Sequence, residues 1–122
     1  MTIKEVSKMY NLSPDTLRFY EKKGLIGPVK KTSGGIRDYE EDDLKRIEFI
    51  KCMRSAEIPV IVLKEYVDLF AAGDETIKER RELLEEQKYI LENKIANMQE
   101  AYEKLNKKID MYYSGELEKY LK

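Results

Sequence analysis

The sequence predicts a mainly α-helical chain, a winged helix-turn-helix unit followed by one long coiled-coil helix. Three observations carry that prediction. Two short helix signals near the N-terminus are separated by a turn of about three residues. A pair of short extended stretches with a glycine tip follows them. The C-terminal part then repeats apolar residues every seven positions.

Thr2-Ile3-Lys4-Glu5 has the spacing of a capping box, in which the Thr2 hydroxyl accepts a backbone N–H and Glu5 reaches back. Ile3, Val6 and Met9 or Tyr10 continue at helical spacing, and Asn11-Leu12 ends the stripe. Ser13 then caps a second helix whose first position is Pro14, where the missing N–H costs nothing. It runs through Asp15 to Lys23 and stops at Gly24. Leu25 to Lys31 reads as extended, Thr32-Ser33-Gly34-Gly35 as a turn, and Ile36 to Tyr39 as extended again, which predicts a small β-hairpin wing. Such a hairpin is not stable alone and must lean on the helices.

Glu40 to Ala56 reads as a third helix, with Leu44, Ile47, Ile50 and Met53 at three-residue steps and Phe49 beside them. Glu57-Ile58-Pro59 interrupts it, and Val60 to Phe70 is a short apolar helix. After Ala71-Ala72-Gly73, Asp74 or Thr76 is expected to cap the longest element, which continues to about Tyr113. Its apolar seam is Ile77, Leu84, Leu91, Met98, Leu105 and Tyr112, each seven apart. A second seam starts charged, at Arg81 and Lys88, and turns apolar at Ile95, Tyr102 and Ile109. At 1.5 Å per residue this helix is roughly 55–60 Å long, with no second long helix in the chain to cover it. A homodimer is the economical solution, with Ile77, Leu84, Leu91, Ile95, Met98, Tyr102, Leu105 and Ile109 as its contacts. The expected organisation is a helix-turn-helix domain over 1–72, a dimerisation helix over 73–113 and a short tail over 114–122.

Charge is distributed unevenly behind a net value of -1. Residues 1–37 carry eight Lys/Arg against three Asp/Glu, whereas residues 38–72 carry five against nine. Positive charge gathered at one end of a near-neutral chain suits a nucleic-acid contact confined to one face, or simply a solvated surface. One cysteine and no histidine exclude a disulfide framework and make a soft-metal site within one subunit improbable. No apolar run is long enough to span a membrane, so the reading is cytoplasmic, with no membrane partner and no cofactor. No paired acid/base cluster, phosphate loop or nucleophile–His arrangement is present, and the chain does not read as an enzyme.

Residues 2–72 resemble the DNA-binding domain of the mercury-resistance-regulator (MerR) family. The resemblance rests on Ile3-Lys4-Glu5-Val6-Ser7, on Leu12 to Ile26 with its core Asp15-Thr16-Leu17-Arg18-Phe19-Tyr20-Glu21, on Gly35-Ile36-Arg37-Asp38-Tyr39, and on Asp43-Leu44. It implies that the second helix enters a major groove of double-stranded promoter DNA through Ser13, Thr16, Leu17, Arg18 and Tyr20. Chemistry agrees for Arg18, whose fork suits guanine or phosphate, and for Thr16, which suits phosphate or a thymine methyl. The family places Tyr20 on the DNA backbone while Leu17 packs, although a core aromatic is the other reading of Tyr20, and Phe19 reads as core. In the wing, Lys30 and Lys31 flank Gly34 and Gly35, and the resemblance has Arg37 and Tyr39 anchor the hairpin and contact DNA.

Two departures stand out. Glu57-Ile58-Pro59 occupies a turn where the family usually has glycine followed by a hydroxyl cap, so Glu57 sits uncomfortably in a left-handed position and no DNA contact is assigned there. Ile61 replaces an acidic residue and leaves Val60-Ile61-Val62-Leu63 continuously apolar, which reads as a larger interface with a partner's long helix. Around Cys52, the segment Ile47 to Arg54 is similar to the aldehyde-responsive branch of the family, which implies a sensor thiol for reactive electrophiles. Lys51 and Arg54 favour a thiolate, Glu48 opposes it, and inert packing is the other reading. The mechanism implied is a stress-responsive homodimer of antiparallel long helices that untwists a promoter with over-spaced recognition hexamers, so that RNA polymerase engages. A winged-helix protein-interaction module of chaperone-modulator type is the competing reading, against which stand Arg18, Lys30, Lys31 and Arg37. A regulator of the same type that senses a small ligand without covalent attachment is the other.

Overall fold

The computed structural model describes residues 1–115. They form two compact units, Met1–Leu83 and a second from Leu84 onward. The order is α1 (Ile3–Tyr10), α2 (Pro14–Lys22), α3 (Glu41–Ser55), α4 (Val60–Ala71), a 3-10 turn (Asp74–Thr76) and α5 (Ile77–Ser114). The chain is mainly helical, as its sequence predicts.

The helix ends follow the side chains that set them. At α1 the capping box is complete: Glu5 N donates to Thr2 Oγ1 at 3.2 Å and Thr2 N donates to Glu5 Oε1 at 2.9 Å. Those bonds to Thr2 hold the Glu5 carboxyl below its ordinary range. Asn11 closes α1 in the left-handed region at φ 54°. Ser13 Oγ accepts from Thr16 N at 3.0 Å, and Pro14 opens α2. Past the end of α2, Gly24 adopts φ +73°, and Leu25 N turns back to Tyr20 O at 2.9 Å. A side chain at Gly24 would be strained there, which is why the helix stops where it does.

The first unit closes around Val6, Leu17, Leu25, Ile26, Ile47 and Ile50, all fully buried, with Tyr20, Val29, Tyr39, Ile58 and Leu63 completing the core. Two expectations are corrected here. Phe19 is not a core residue but 42% exposed. The wing is not a hairpin ladder, since a single antiparallel bridge, Lys31 to Arg37, joins its arms and no strand forms among the described residues. Thr32 N donates to Ile36 O and Asp38 N to Lys30 O, both at 2.7 Å, around a turn closed by Gly35 N to Thr32 O at 2.9 Å. Pro28 has no amide to extend the ladder, so pairing ends after these bonds. The wing is instead held from outside, with Tyr39 N donating to Met1 O at 2.7 Å.

Glu57 occupies the left-handed region at φ 66°, the position its sequence makes uncomfortable. Of the apolar run opening α4, Leu63 is buried, Val60 and Val62 lean on the core, and Ile61 projects at 78% exposure. Thr76 donates from its hydroxyl to Leu69 O at 2.5 Å and Gly73 O at 2.8 Å, tying the 3-10 turn to the end of α4. From Leu84 on, the second unit is the continuation of α5, a helix of 38 residues with no buried position. Of the expected tail over 114–122, which the sequence lets form one amphipathic turn through Leu117, Tyr120 and Leu121, residues 116–122 lie outside the described residues.

Candidate nucleic-acid interface

The second helix presents its polar N-terminal turn and hides its apolar side. Val6 from α1 packs with Leu17 and Tyr20, which lie three residues apart and share one face of α2. Ser13 and Arg18 are exposed and Thr16 is half-buried. The Ser13 and Thr16 hydroxyls meet at 2.9 Å, and Arg18 Nη1 pairs with Asp15 Oδ1 at 3.0 Å. Both members of that pair are open to solvent, so it is weak and readily exchanged for another anion. The positive dipole end of α2 adds to the attraction for phosphate.

The wing tip is equally open. Lys30 and Lys31 are exposed, and the Lys30 ammonium reaches only a distant, solvated pairing with Glu40 at 3.7 Å. A Cβ at Gly35 would meet nothing within 4 Å, yet φ is +79° there, and one at Gly34 would meet only Thr32 Oγ1 at 3.8 Å. Backbone can therefore approach a phosphate closely at this tip.

Arg37 is placed differently from the lysines. Its Nε donates to Glu21 Oε1 at 2.7 Å, with both side chains largely covered, so it fastens the base of the wing to α2. That bond raises the guanidinium pKa further above its ordinary value. The sequence alone does not single out the anchoring partner, Glu21, because nothing in a linear reading places position 21 beside position 37.

Contacts expected from Leu17 and Tyr39 are corrected by their burial. Leu17 is fully buried and Tyr39 is 2% exposed, so both are packing residues that a nucleic acid cannot touch without opening the core. The Tyr39 hydroxyl is enclosed with no hydrogen-bond partner among the described residues. Burial pushes its pKa up, against the opposing pull of Arg37. Tyr20 is 6% exposed, and burial raises its phenol against the pull of Arg54. On the open side of α2 stands Phe19 instead, with the Lys23 ammonium 5.8 Å from its ring centroid. The i, i+4 spacing of Phe19 and Lys23 is the sequence signal for that surface pair.

Cys52 is exposed on α3 and is not a core residue. Its expected cationic neighbours are engaged with backbone oxygens: Lys51 Nζ donates to Tyr10 O, and Arg54 Nη1 donates to Ile58 O at 2.8 Å. Along α5, Ile77, Leu84, Ile95, Met98, Tyr102, Leu105 and Ile109 are all exposed, between 39% and 67%, and Leu91 is half-buried. Among the described residues, no group of His, Cys, Asp and Glu is arranged to hold a metal ion. No described helix is long and apolar enough to cross a membrane.

Comparison with known proteins gives these surfaces a context. Residues 1–69 match the family model described as MerR HTH family regulatory protein, and residues 44–108 match the model described as MerR, DNA binding. The chain is similar to the HTH-type transcriptional regulator AdhR of Bacillus subtilis, at 49% identity over 88 residues covering 72% of this chain and 63% of that protein. The match to a ZntR homolog of Haemophilus influenzae likewise covers 63% of that relative's own length. The HTH-type transcriptional regulator ZntR of Escherichia coli K12 is 32% identical over 85% of this chain and 77% of its own. Among solved structures, a MerR family regulator from Listeria monocytogenes superposes with a TM-score of 0.88 at 41% identity, over 92% of this chain and 85% of that one. HiNmlR, a MerR family regulator lacking the sensor domain and bound to promoter DNA, superposes at 0.84 with 27% identity over 93% and 90%.

Proposed function

The chain belongs to the MerR family of helix-turn-helix regulatory proteins, and on that premise we propose that its homodimer binds a palindromic promoter site and regulates transcription. The relatives are named as transcriptional regulators, and the family is not one of enzymes. The observation that carries the reading is the open N-terminal turn of α2, with Ser13, Thr16 and Arg18, alongside a wing tip bearing Lys30, Lys31 and two uncovered glycines. HiNmlR is bound to promoter DNA, and its likeness over nine-tenths of this chain supports docking the same surface here.

In this mechanism α2 enters the major groove N-terminus first, and Arg18 exchanges Asp15 for a guanine edge or a phosphate. Lys30 and Lys31 neutralise phosphates beside Gly34 and Gly35, while Arg37 holds the wing to α2 through Glu21. Leu17, Tyr20 and Tyr39 act from the core, by fixing the helix and the wing. The α5 helices of two subunits pair through Ile77, Leu84, Leu91, Ile95, Met98, Tyr102, Leu105 and Ile109. Bending or untwisting the promoter then makes it competent for RNA polymerase, which adds specificity at base pairs the protein does not touch.

The input we propose is a reactive aldehyde at Cys52, supported by the thiol's exposure and by the similarity to AdhR. The Cys52 sulfur bonds to the carbonyl carbon, the C=O π pair moves to oxygen, and the thiol proton ends on that oxygen. Nothing is oxidised or reduced. The adduct biases α3 and α4 between two arrangements.

The test is operator binding followed by transcription in vitro. Arg18→Ala should weaken specific binding by roughly 10–100-fold. Unchanged affinity at moderate salt refutes its role. Replacing Lys30 and Lys31 by Ala should lower the salt slope by roughly one unit for each phosphate left without its lysine. Added aldehyde should alter transcription with wild type and leave Cys52→Ser unresponsive. Equal responses remove the sensor while DNA binding stands.

A further inference from the structure

The cleft between α3 and α4 has no part in that reading. Asp42, Lys45, Arg46, Phe49, Tyr66, Val67 and Phe70 line a volume of about 320 Å³, within the range of small-molecule sites. Three of the seven are aromatic. Phe49 and Tyr66 have ring centroids 5.4 Å apart, tilted by 35°. Phe70 is half exposed, an uncommon state for so large an apolar ring, with the Arg46 guanidinium 5.9 Å from its centroid.

The charge of the lining decides what fits. Lys45 and Arg46 face one acid, Asp42. Arg46 makes no ion pair with any described carboxylate; it stands over Phe70, and its Nη1 lies against Gly27, where an added Cβ would come within 3.2 Å of it. Lys45 reaches Glu41 at 3.7 Å, with both side chains more than two-thirds exposed, a pairing of little strength. Arg80, which also approaches Phe70 at 5.1 Å, is by contrast committed, through Nε to Thr76 Oγ1 at 3.0 Å and Nη2 to Gly73 O at 3.2 Å. A planar cation with no carboxylate paired to it, set beside aromatic rings, matches a carboxylate carried on an aromatic body.

We propose that this cleft binds a small aromatic carboxylate, its ring against Phe49, Tyr66 and Phe70 and its carboxylate on Arg46, with Lys45 alongside. Asp42 lies on the same lining and disfavours the anion, but two cations outnumber it. The site is a non-covalent input separate from Cys52, and it does not depend on the chain binding DNA.

Isothermal titration of the whole chain with 2-naphthoate, benzoate, benzyl alcohol and benzylammonium tests this. Naphthoate should bind saturably at one site per chain and on the order of tenfold or more tighter than the alcohol or the ammonium. Arg46→Gln should weaken naphthoate on the order of tenfold. Phe70→Leu, which leaves the cations in place, should weaken it too and reads the same site should Arg46→Gln unfold. The proposal fails if no saturable binding is seen up to about 5 mM naphthoate. It fails equally if benzylammonium binds as well as naphthoate, which gives the cleft to Asp42, or if both variants bind as wild type does. Binding restricted to a monomeric Leu91→Asp/Met98→Asp variant also overturns it, since the cleft then belongs to a second copy of the chain.

Discussion

The two ends of this molecule treat their apolar surface in opposite ways. Among the described residues, all eleven buried hydrophobic side chains lie between Val6 and Leu63, whereas α5 has no buried residue along 38 positions. The first region draws its core from α1, α2, the wing, α3 and α4 and buries those eleven residues within one chain. In α5 the apolar residues recur every seven, a spacing that suits another helix of the same kind and leaves them bare within one chain. The lesson is that one end buries its apolar residues within its own sequence, whereas the other has the surface our proposed dimer would cover. Stability and oligomeric state should therefore be separable by mutation.

Charging the seam is expected to have the largest effect. Each Leu or Met side chain buried between helices contributes about 1.5–3 kcal/mol, and a twofold interface counts each position twice. Leu91→Asp with Met98→Asp should thus weaken the dimer by roughly a thousandfold or more and give monomers in sedimentation equilibrium. A dimer that survives both charges would mean that α5 is not the interface, and the contrast between the two regions would lose its meaning.

The next effect is in the core. Ile50 is fully buried, and Ile50→Ala should lower the stability of the first unit by about 2–5 kcal/mol. Leu105, 62% exposed, should tolerate the same truncation within about 0.5 kcal/mol when measured in the monomeric background. Thermal melts of the two variants sharpen the comparison. Equal losses would show that α5 already packs on something within one chain.

The helices are legible in the sequence because their signals are local. Thr2 with Glu5, Ser13 with Pro14, and the breaks at Gly24, Pro59 and Gly73 each act within a few residues of the structure they set. The heptads need only counting. What the sequence hides is information carried across the chain. The wing reads as a hairpin because its arms have strand-like residues, yet one bridge is all that a short arm beginning at Pro28 sustains. Arg37 reads as a DNA contact, and position 21 gives no sign that it accepts the Arg37 Nε–H. Phe19 and Tyr20 are the instructive pair. The three-residue step from Leu17 already puts Tyr20 on the buried face of α2 and leaves Phe19 off it. The family's placement of Tyr20 on the DNA backbone points the other way, and helical periodicity is the better guide to burial.

Tyr39 gives the smallest expected effect and separates packing from recognition most cleanly. Its hydroxyl is enclosed without a partner among the described residues, and an unsatisfied polar group costs about 1–3 kcal/mol when buried. Tyr39→Phe removes that group and keeps the ring, so it should raise stability by about 1 kcal/mol and leave operator affinity unchanged. The pH dependence carries the same sign. Burial raises the phenol's folded pKa above its unfolded value near 10, so the unfolded chain ionises first. Stability that is fully present below that pH is lost as pH rises through the folded value, and Tyr39→Phe should flatten this alkaline decline. Urea melts at neutral and alkaline pH, with operator titration of the same protein, read both quantities. A tenfold loss of affinity with no gain in stability would put the hydroxyl on a phosphate and return Tyr39 to the DNA interface, moving the boundary between the self-completed core and the surfaces that wait for a partner.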